Sequence, residues 1–126
     1  MSARILVVDD NAANLDLVLY LLRAFGHEAD GFGDAFAAFE AARRETYALI
    51  LTDILMPGMD GFELVARLRG EPALAATPVV AVTALAMAGD RERIAAAGFD
   101  GYITKPIDPQ SFVSQVDGFL SSGSNG

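Results

Sequence analysis

The 126-residue sequence has no cysteine and few basic side chains. The absence of cysteine excludes disulfide bonds, thiolate zinc sites and cysteine nucleophiles. Lysine and arginine together number 9, against 17 aspartate and glutamate residues, so the formal net charge is −8. Because nucleic-acid phosphates repel a chain of this charge, we expect no nucleic-acid partner.

Long hydrophobic runs are missing as well. No apolar stretch approaches the roughly 20 residues that a membrane-spanning helix needs, and the chain does not open with the charged and then apolar segments of a signal peptide. We therefore expect no membrane partner and, given the missing cysteines, a cytoplasmic location. Hydrophobic residues nevertheless make up 52% of the chain, which excludes a disordered protein and predicts one domain with a substantial core.

Short apolar segments of strand length alternate with helical segments along the chain. The first of them, residues 4–8, is almost entirely apolar, which is typical of a strand buried on both faces. Helix caps are predicted at Asn11, Asp34, Asp60 and Asp108. The strands are predicted over residues 4–8, 27–31, 49–52, 79–83 and 101–104, and the helices over residues 12–25, 35–44, 61–70, 90–97 and 109–120.

This alternation predicts an α/β fold in which helices cover both faces of a parallel sheet. Right-handed crossovers restrict such sheets to doubly wound forms, and five strands favour the flavodoxin-like order 2-1-3-4-5 over the six-stranded dinucleotide-binding order. We assign residues 1–120 to the domain and, from their serine and glycine content, residues 121–126 to a flexible tail.

Polar side chains stand where the predicted strands end. Asp9 and Asp10 follow the first strand, Asp53 follows the third, Thr83 ends the fourth and Lys105 follows the fifth. The carboxyl ends of parallel strands meet at one edge of the sheet, which is where ligands bind in such folds. We therefore expect these five residues to share one cleft.

The residue types in this cleft indicate phosphoryl chemistry. Three carboxylates together are unfavourable unless a cation lies among them, and oxygen-only ligands with room for water favour Mg²⁺. The acids, a metal ion, the ammonium of Lys105 and the hydroxyl of Thr83 form the set that holds a phosphoryl group during transfer. Asp53 is the candidate nucleophile because a carboxylate can form an acyl phosphate.

Four parts of the sequence together resemble the signature of the response-regulator receiver domain: the Asp9-Asp10 pair and residues 51–61, 82–84 and 102–106. The resemblance covers residues 4–120. It implies that Asp53 accepts a phosphoryl group from a phosphohistidine on a histidine kinase or a histidine phosphotransfer protein. It also implies that the signal passes to a downstream protein effector.

The resemblance implies a ligand set for Mg²⁺. Asp10 and Asp53 would bind the ion directly, the backbone carbonyl of Leu55 would be a further ligand, and Asp9 would act through water. A simpler alternative is that Asp9 and Asp10 only cap the first helix.

The resemblance also implies a switch. Thr83 would move toward the phosphoryl group and Tyr102 would swing inward behind it. A static, partly buried aromatic side chain explains Tyr102 equally well. If considered one at a time, Thr83 would be read as a hydroxyl at a strand end and Lys105 as a solvated charge. The Lys105-Pro106 bond resembles the family's cis peptide.

Other functions stay open at this point. A flavin-binding protein of the same fold would need a glycine- or hydroxyl-rich loop where Asp9 and Asp10 stand. A phosphatase with an aspartyl nucleophile would carry a second acid at the position of Leu55. The chain also fits a receiver domain excised from a hybrid histidine kinase, or a phosphorelay intermediate that passes its phosphate on.

A few single residues carry finer predictions. Leu55 and Leu85 predict a long-lived acyl phosphate, because neither side chain can orient a hydrolytic water. Leu85 and Met87 are predicted to lie on an apolar docking surface beside the fourth helix, with a place in the core as the alternative. His27, the only histidine, is predicted to lie on the surface without a carboxylate partner.

Overall fold

The computed structural model describes residues 3–84 and 88–124. Within these residues five strands and five helices alternate, as the sequence predicts. The strands are β1 (Arg4–Val8), β2 (Glu28–Phe32), β3 (Leu49–Thr52), β4 (Val79–Thr83) and β5 (Gly101–Thr104). The helices are α1 (Ala12–Ala24), α2 (Ala35–Arg44), α3 (Gly61–Gly70), α4 (Ala88–Ala97) and α5 (Pro109–Ser124).

The strands form one parallel sheet in the order β2-β1-β3-β4-β5, which confirms the predicted topology. The three central strands are the ones with continuous apolar sequence, because helices bury both of their faces. Val8 pairs with Thr52, and Thr52 pairs with Ala81. The carboxyl ends of β1, β3 and β4 therefore lie side by side at one edge of the sheet.

Successive residues of β1 point to opposite faces of the sheet and enter two separate cores. Leu6 and Val8 join the core beneath α2, α3 and α4, whereas Ile5 and Val7 join the core beneath α1 and α5. The first core also contains Ala38, Ile50, Leu64, Val65 and Ile94, and the second contains Val18, Leu22, Leu51, Phe112 and Val116.

Side-chain caps fix where three of the helices begin. Asn11, Asp34 and Asp60 each accept a hydrogen bond from the backbone N–H three residues later, at 3.0, 2.8 and 2.9 Å. These are predicted caps. Because Asn11 caps α1, the two preceding acids, Asp9 and Asp10, are not needed for that role.

The prediction for His27 is wrong. Its side chain is only 9% exposed, and its Nε2 lies 3.2 Å from a carboxylate oxygen of Asp117. Its Nδ1 accepts a hydrogen bond from the backbone N–H of Ala3 at 3.3 Å. The contact joins α5 to the residue just before β2 across 90 residues of sequence, so no local pattern could reveal it.

Helix α5 continues to Ser124, four residues beyond the predicted end of the domain at residue 120. Residues 125 and 126 of the predicted tail lie outside the described residues, as do Leu85 and Met87 of the predicted docking surface. Among the described helices, none has the combination of length and hydropathy that crossing a bilayer requires.

Candidate functional site

Three carboxylates meet at the edge of the sheet where β1 and β3 end. Asp9, Asp10 and Asp53 each place a carboxylate oxygen within 4.8 Å of the other two. Asp9 and Asp53 are 4% and 8% exposed, whereas Asp10 is exposed to solvent. The three acids therefore share one cleft, in which two are buried and the third faces the solvent.

Lys105 bridges the two buried acids. Its Nζ donates to Oδ2 of Asp9 and to Oδ2 of Asp53, both at 3.1 Å. Burial disfavours the ammonium, but the hydrogen bonds and charges of Asp9 and Asp53 outweigh this and raise the pKa of Lys105. Because the pKa of Lys105 is raised in the folded protein, these ion pairs stabilise the fold at neutral pH. This stabilisation is lost as the pH rises through the raised pKa of Lys105.

Backbone amides orient the other oxygen of each buried carboxylate. The N–H of Asn11 donates to Oδ1 of Asp9 at 2.9 Å, and the N–H of Ile54 donates to Oδ1 of Asp53 at 2.7 Å. In addition, Thr52 Oγ1 donates to the carbonyl oxygen of Asp53 at 2.8 Å. Both carboxylates are thus held at a fixed angle, with their Oδ2 atoms toward Lys105. Sequence reasoning did not identify these amide donors.

Helix α3 begins directly against the turn that carries Asp53. The N–H of Gly61 donates to the carbonyl oxygen of Ile54 at 2.8 Å. A Cβ at residue 61 would lie 2.5 Å from the carbonyl oxygen of Asp53 and 2.7 Å from Cα of Ile54. Only glycine permits this approach. Sequence reasoning did not assign Gly61 a role, because backbone proximity leaves no signal in composition or periodicity.

Thr83 and Tyr102 lie on the same face of the sheet. Ala81 pairs with Tyr102 and Thr83 pairs with Thr104, so all four side chains point to the face covered by α3 and α4. Thr83 is completely buried at the end of β4, next to β3, the strand that Asp53 follows. Tyr102 is half-buried against the core.

The two remaining predicted features lie on the loops around the acids. Leu55 is 62% exposed, two residues after Asp53. The peptide bond between Lys105 and Pro106 is cis, as the resemblance implies.

The donor set fits a hard divalent cation. Carboxylate oxygens are the ligands that Mg²⁺ prefers, and oxygens bound to one Mg²⁺ lie no more than about 4 Å apart, a spacing compatible with acids whose oxygens all lie within 4.8 Å of one another. Asp10 faces solvent, which leaves room for the water ligands that Mg²⁺ retains. Asp9, Asp10 and Asp53 could therefore hold the ion.

Known proteins share this sequence pattern and this fold. The polar-differentiation response regulator DivK of Brucella ovis is 37% identical over 120 residues, which cover 95% of this chain and 98% of DivK. The sensor protein GacS of Pseudomonas syringae pv. syringae is 40% identical over 116 residues, which cover 90% of this chain and 13% of GacS. The structure of the receiver domain of sensor histidine kinase PA1611 from Pseudomonas aeruginosa PAO1 has a magnesium ion in its active-site cleft. It matches with a TM-score of 0.87 and 29% identity, over 96% of this chain and 99% of that domain.

The family comparison covers nearly all of the folded chain. The family model of the response regulator receiver domain matches residues 5–117, from the second residue of β1 well into α5. The site described above lies inside this range. The chain therefore belongs to the response regulator receiver domain family, the phosphorylation switches of two-component signalling.

Proposed function

We propose that Asp53 is the residue of this receiver domain that accepts the phosphoryl group. The observation that carries the proposal is the buried pair of Asp9 and Asp53, bridged by Lys105 and flanked by the exposed Asp10. Excess negative charge in a buried cleft lowers the stability of the fold unless cations bind there. One oxygen of Asp53 is fixed by the N–H of Ile54, and the other lies 3.1 Å from Nζ of Lys105.

In the proposed reaction, an oxygen of Asp53 attacks the phosphorus of a phosphohistidine. The new O–P bond forms as the P–N bond breaks, and the bonding electron pair leaves with the imidazole, which takes up a proton. Lys105, released from Asp53 Oδ2, neutralises an oxygen of the incoming group, and the Thr83 hydroxyl donates to another. The chain thus catalyses its own phosphorylation by positioning and charge.

We propose Mg²⁺ as the cofactor, held by Asp10, Asp53 and the backbone carbonyl of Leu55, with Asp9 acting through water. The oxygen-only donor set and the magnesium ion in the PA1611 receiver domain support this assignment. When bound, the ion supplies positive charge against the phosphoryl oxygens. Its presence would also offset the repulsion between Asp10 and the two buried acids.

The proposed partners follow from the family. The phosphoryl donor would be a histidine kinase or a histidine phosphotransfer protein, and the recipient of the signal a downstream protein effector. Phosphorylation would favour one arrangement of Thr83 and Tyr102. The free energy of that shift can be no larger than the difference in contact free energy between the two states. The predicted location is the cytoplasm. Relay of the phosphate onward, and origin in a hybrid kinase, are less favoured alternatives.

Labelling with a small phosphoryl donor tests the proposed function. The purified protein is incubated with radiolabelled acetyl phosphate in Mg²⁺ and, in parallel, in EDTA. We expect label only with Mg²⁺, and we expect hydroxylamine to release it, because hydroxylamine cleaves an acyl phosphate but not a phosphoserine. Label that forms equally in EDTA, or that resists hydroxylamine, would contradict the proposal.

The lifetime of the phosphate provides a separate prediction. Leu55 is exposed beside the acceptor and offers no hydrogen bond to an attacking water, so Leu55→Asn is expected to hydrolyse its phosphate faster, by about threefold to tenfold. The measurement is loss of label from Mg²⁺-loaded protein after the donor is removed. Leu55→Met is the matched control and should retain the slow rate. Slower loss from Leu55→Asn than from the wild type would refute the explanation.

A further inference from the structure

A cation lies over the ring of Tyr102. Cζ of Arg91, on the first turns of α4, is 5.8 Å from the ring centroid, within the range of a cation–π contact. In the described part of the chain Arg91 forms no ion pair. Arg93, two residues along, lies over Phe62 at 5.0 Å and also pairs with Asp90. The ring of Tyr102 is thus the partner of the Arg91 cation.

We propose that Arg91 is a positioning residue that holds Tyr102 in its resting place and so opposes the switch. The inference rests on the proposed function, in which phosphorylation of Asp53 draws Thr83 and then Tyr102 inward. It adds a residue on α4 that sets how often Tyr102 adopts the phosphorylated arrangement before any phosphate arrives.

The register of the sheet defines the direction of that movement. Tyr102 lies opposite Ala81, and Thr83 is the next side chain along β4 on the same face. The side chain directly opposite Tyr102 is therefore the single methyl group of Ala81. Thr83 is completely buried whereas Arg91 is exposed, so inward movement of the ring toward Thr83 takes it away from the Arg91 cation. The contact with Arg91 is therefore made in the resting arrangement and lost in the phosphorylated one.

A contact present in only one of two states shifts the equilibrium by its own free energy. Arg91 is exposed, and exposed cation–π contacts are worth enough to change a population about twofold to fivefold. Removal of the Arg91 cation should therefore raise the share of the phosphorylated arrangement by about that factor in the unphosphorylated protein.

Fluorine NMR of tyrosine gives a direct measurement. The chain contains three tyrosines, so 3-fluorotyrosine labelling gives three signals, and Tyr102→Phe identifies the one from Tyr102. The two reference positions are those of the wild-type signal in Mg²⁺ without acetyl phosphate and with it. In Arg91→Ala without acetyl phosphate, we expect the population-weighted signal to move toward the phosphorylated position. The size of the movement should correspond to a twofold to fivefold larger share of molecules in the phosphorylated arrangement.

Two variants separate positioning from a general effect on α4. Arg91→Lys keeps a cation and should lie between the wild type and Arg91→Ala. Arg93→Ala removes an arginine that contacts a different ring and should leave the Tyr102 signal in place. An Arg91→Ala signal at the resting position, in protein that takes up label normally, overturns this inference alone, as does a wild-type signal that phosphorylation does not move. Wild-type protein that takes up no phosphate overturns the proposed function and this inference with it.

Discussion

Asp53→Asn protein is expected to take up no phosphoryl group from acetyl phosphate and to be more stable than the wild type in Mg²⁺-free buffer. The amide cannot act as the nucleophile, although its oxygen can still accept from the N–H of Ile54. Without the charge of Asp53, Asp9 and Asp10 lose a like-charged neighbour, and relief of this repulsion outweighs the loss of one ion pair to Lys105. We expect the free energy of unfolding in EDTA to rise by about 1 kcal/mol.

The measurements are uptake of label and urea denaturation in EDTA and in Mg²⁺. Added Mg²⁺ should stabilise the wild type and have little effect on Asp53→Asn, because a ligand stabilises only a fold that binds it. Asp53→Ala, as a second variant, should also remain unlabelled. Asp16→Ala removes an exposed acid of α1 and is the control for charge alone. Persistent label in both Asp53 variants would remove this residue from its proposed role.

Gly61→Ala is expected to slow phosphorylation by about tenfold or more, although residue 61 carries no functional group. The added Cβ would overlap the carbonyl oxygen of Asp53 and Cα of Ile54, both of them backbone atoms that cannot rotate away. Either α3 or the turn of Asp53 must move, and displacement of a reacting group by about 1 Å costs up to about a hundredfold in rate. Overpacking should also lower the free energy of unfolding by about 1–3 kcal/mol.

Gly70→Ala is the matched control for this prediction. Gly70 is the last residue of the same helix, and a Cβ there would meet nothing within 4 Å. Gly70→Ala should therefore retain the wild-type labelling rate and at least its stability. The test compares labelling rates at a temperature where both variants are folded, as judged by circular dichroism. Equal rates for Gly61→Ala and the wild type would show that the acceptor turn does not depend on this close approach.

Local sequence determined the elements of the fold and their order. The apolar runs at 5–8, 49–51 and 79–82 produce central strands because burial on both faces requires continuous apolar side chains. Asn11, Asp34 and Asp60 begin helices because their side chains accept from nearby backbone amides. These effects act within a few residues, so the sequence alone was sufficient to predict them. The strand order was predicted from the alternation and number of the elements, through general rules for parallel sheets.

Tertiary structure alone decided the contacts between distant residues. Lys105 reaches Asp9 across 96 residues and Asp53 across 52, and only the register of the sheet sets their 3.1 Å separations. Sequence placed these residues at one edge, but it could not supply the distances or the amides that orient the acids. The pairing of His27 with Asp117 and the contact of Gly61 with the acceptor turn are of the same kind. Such contacts depend on how whole elements pack, which no short window of residues encodes.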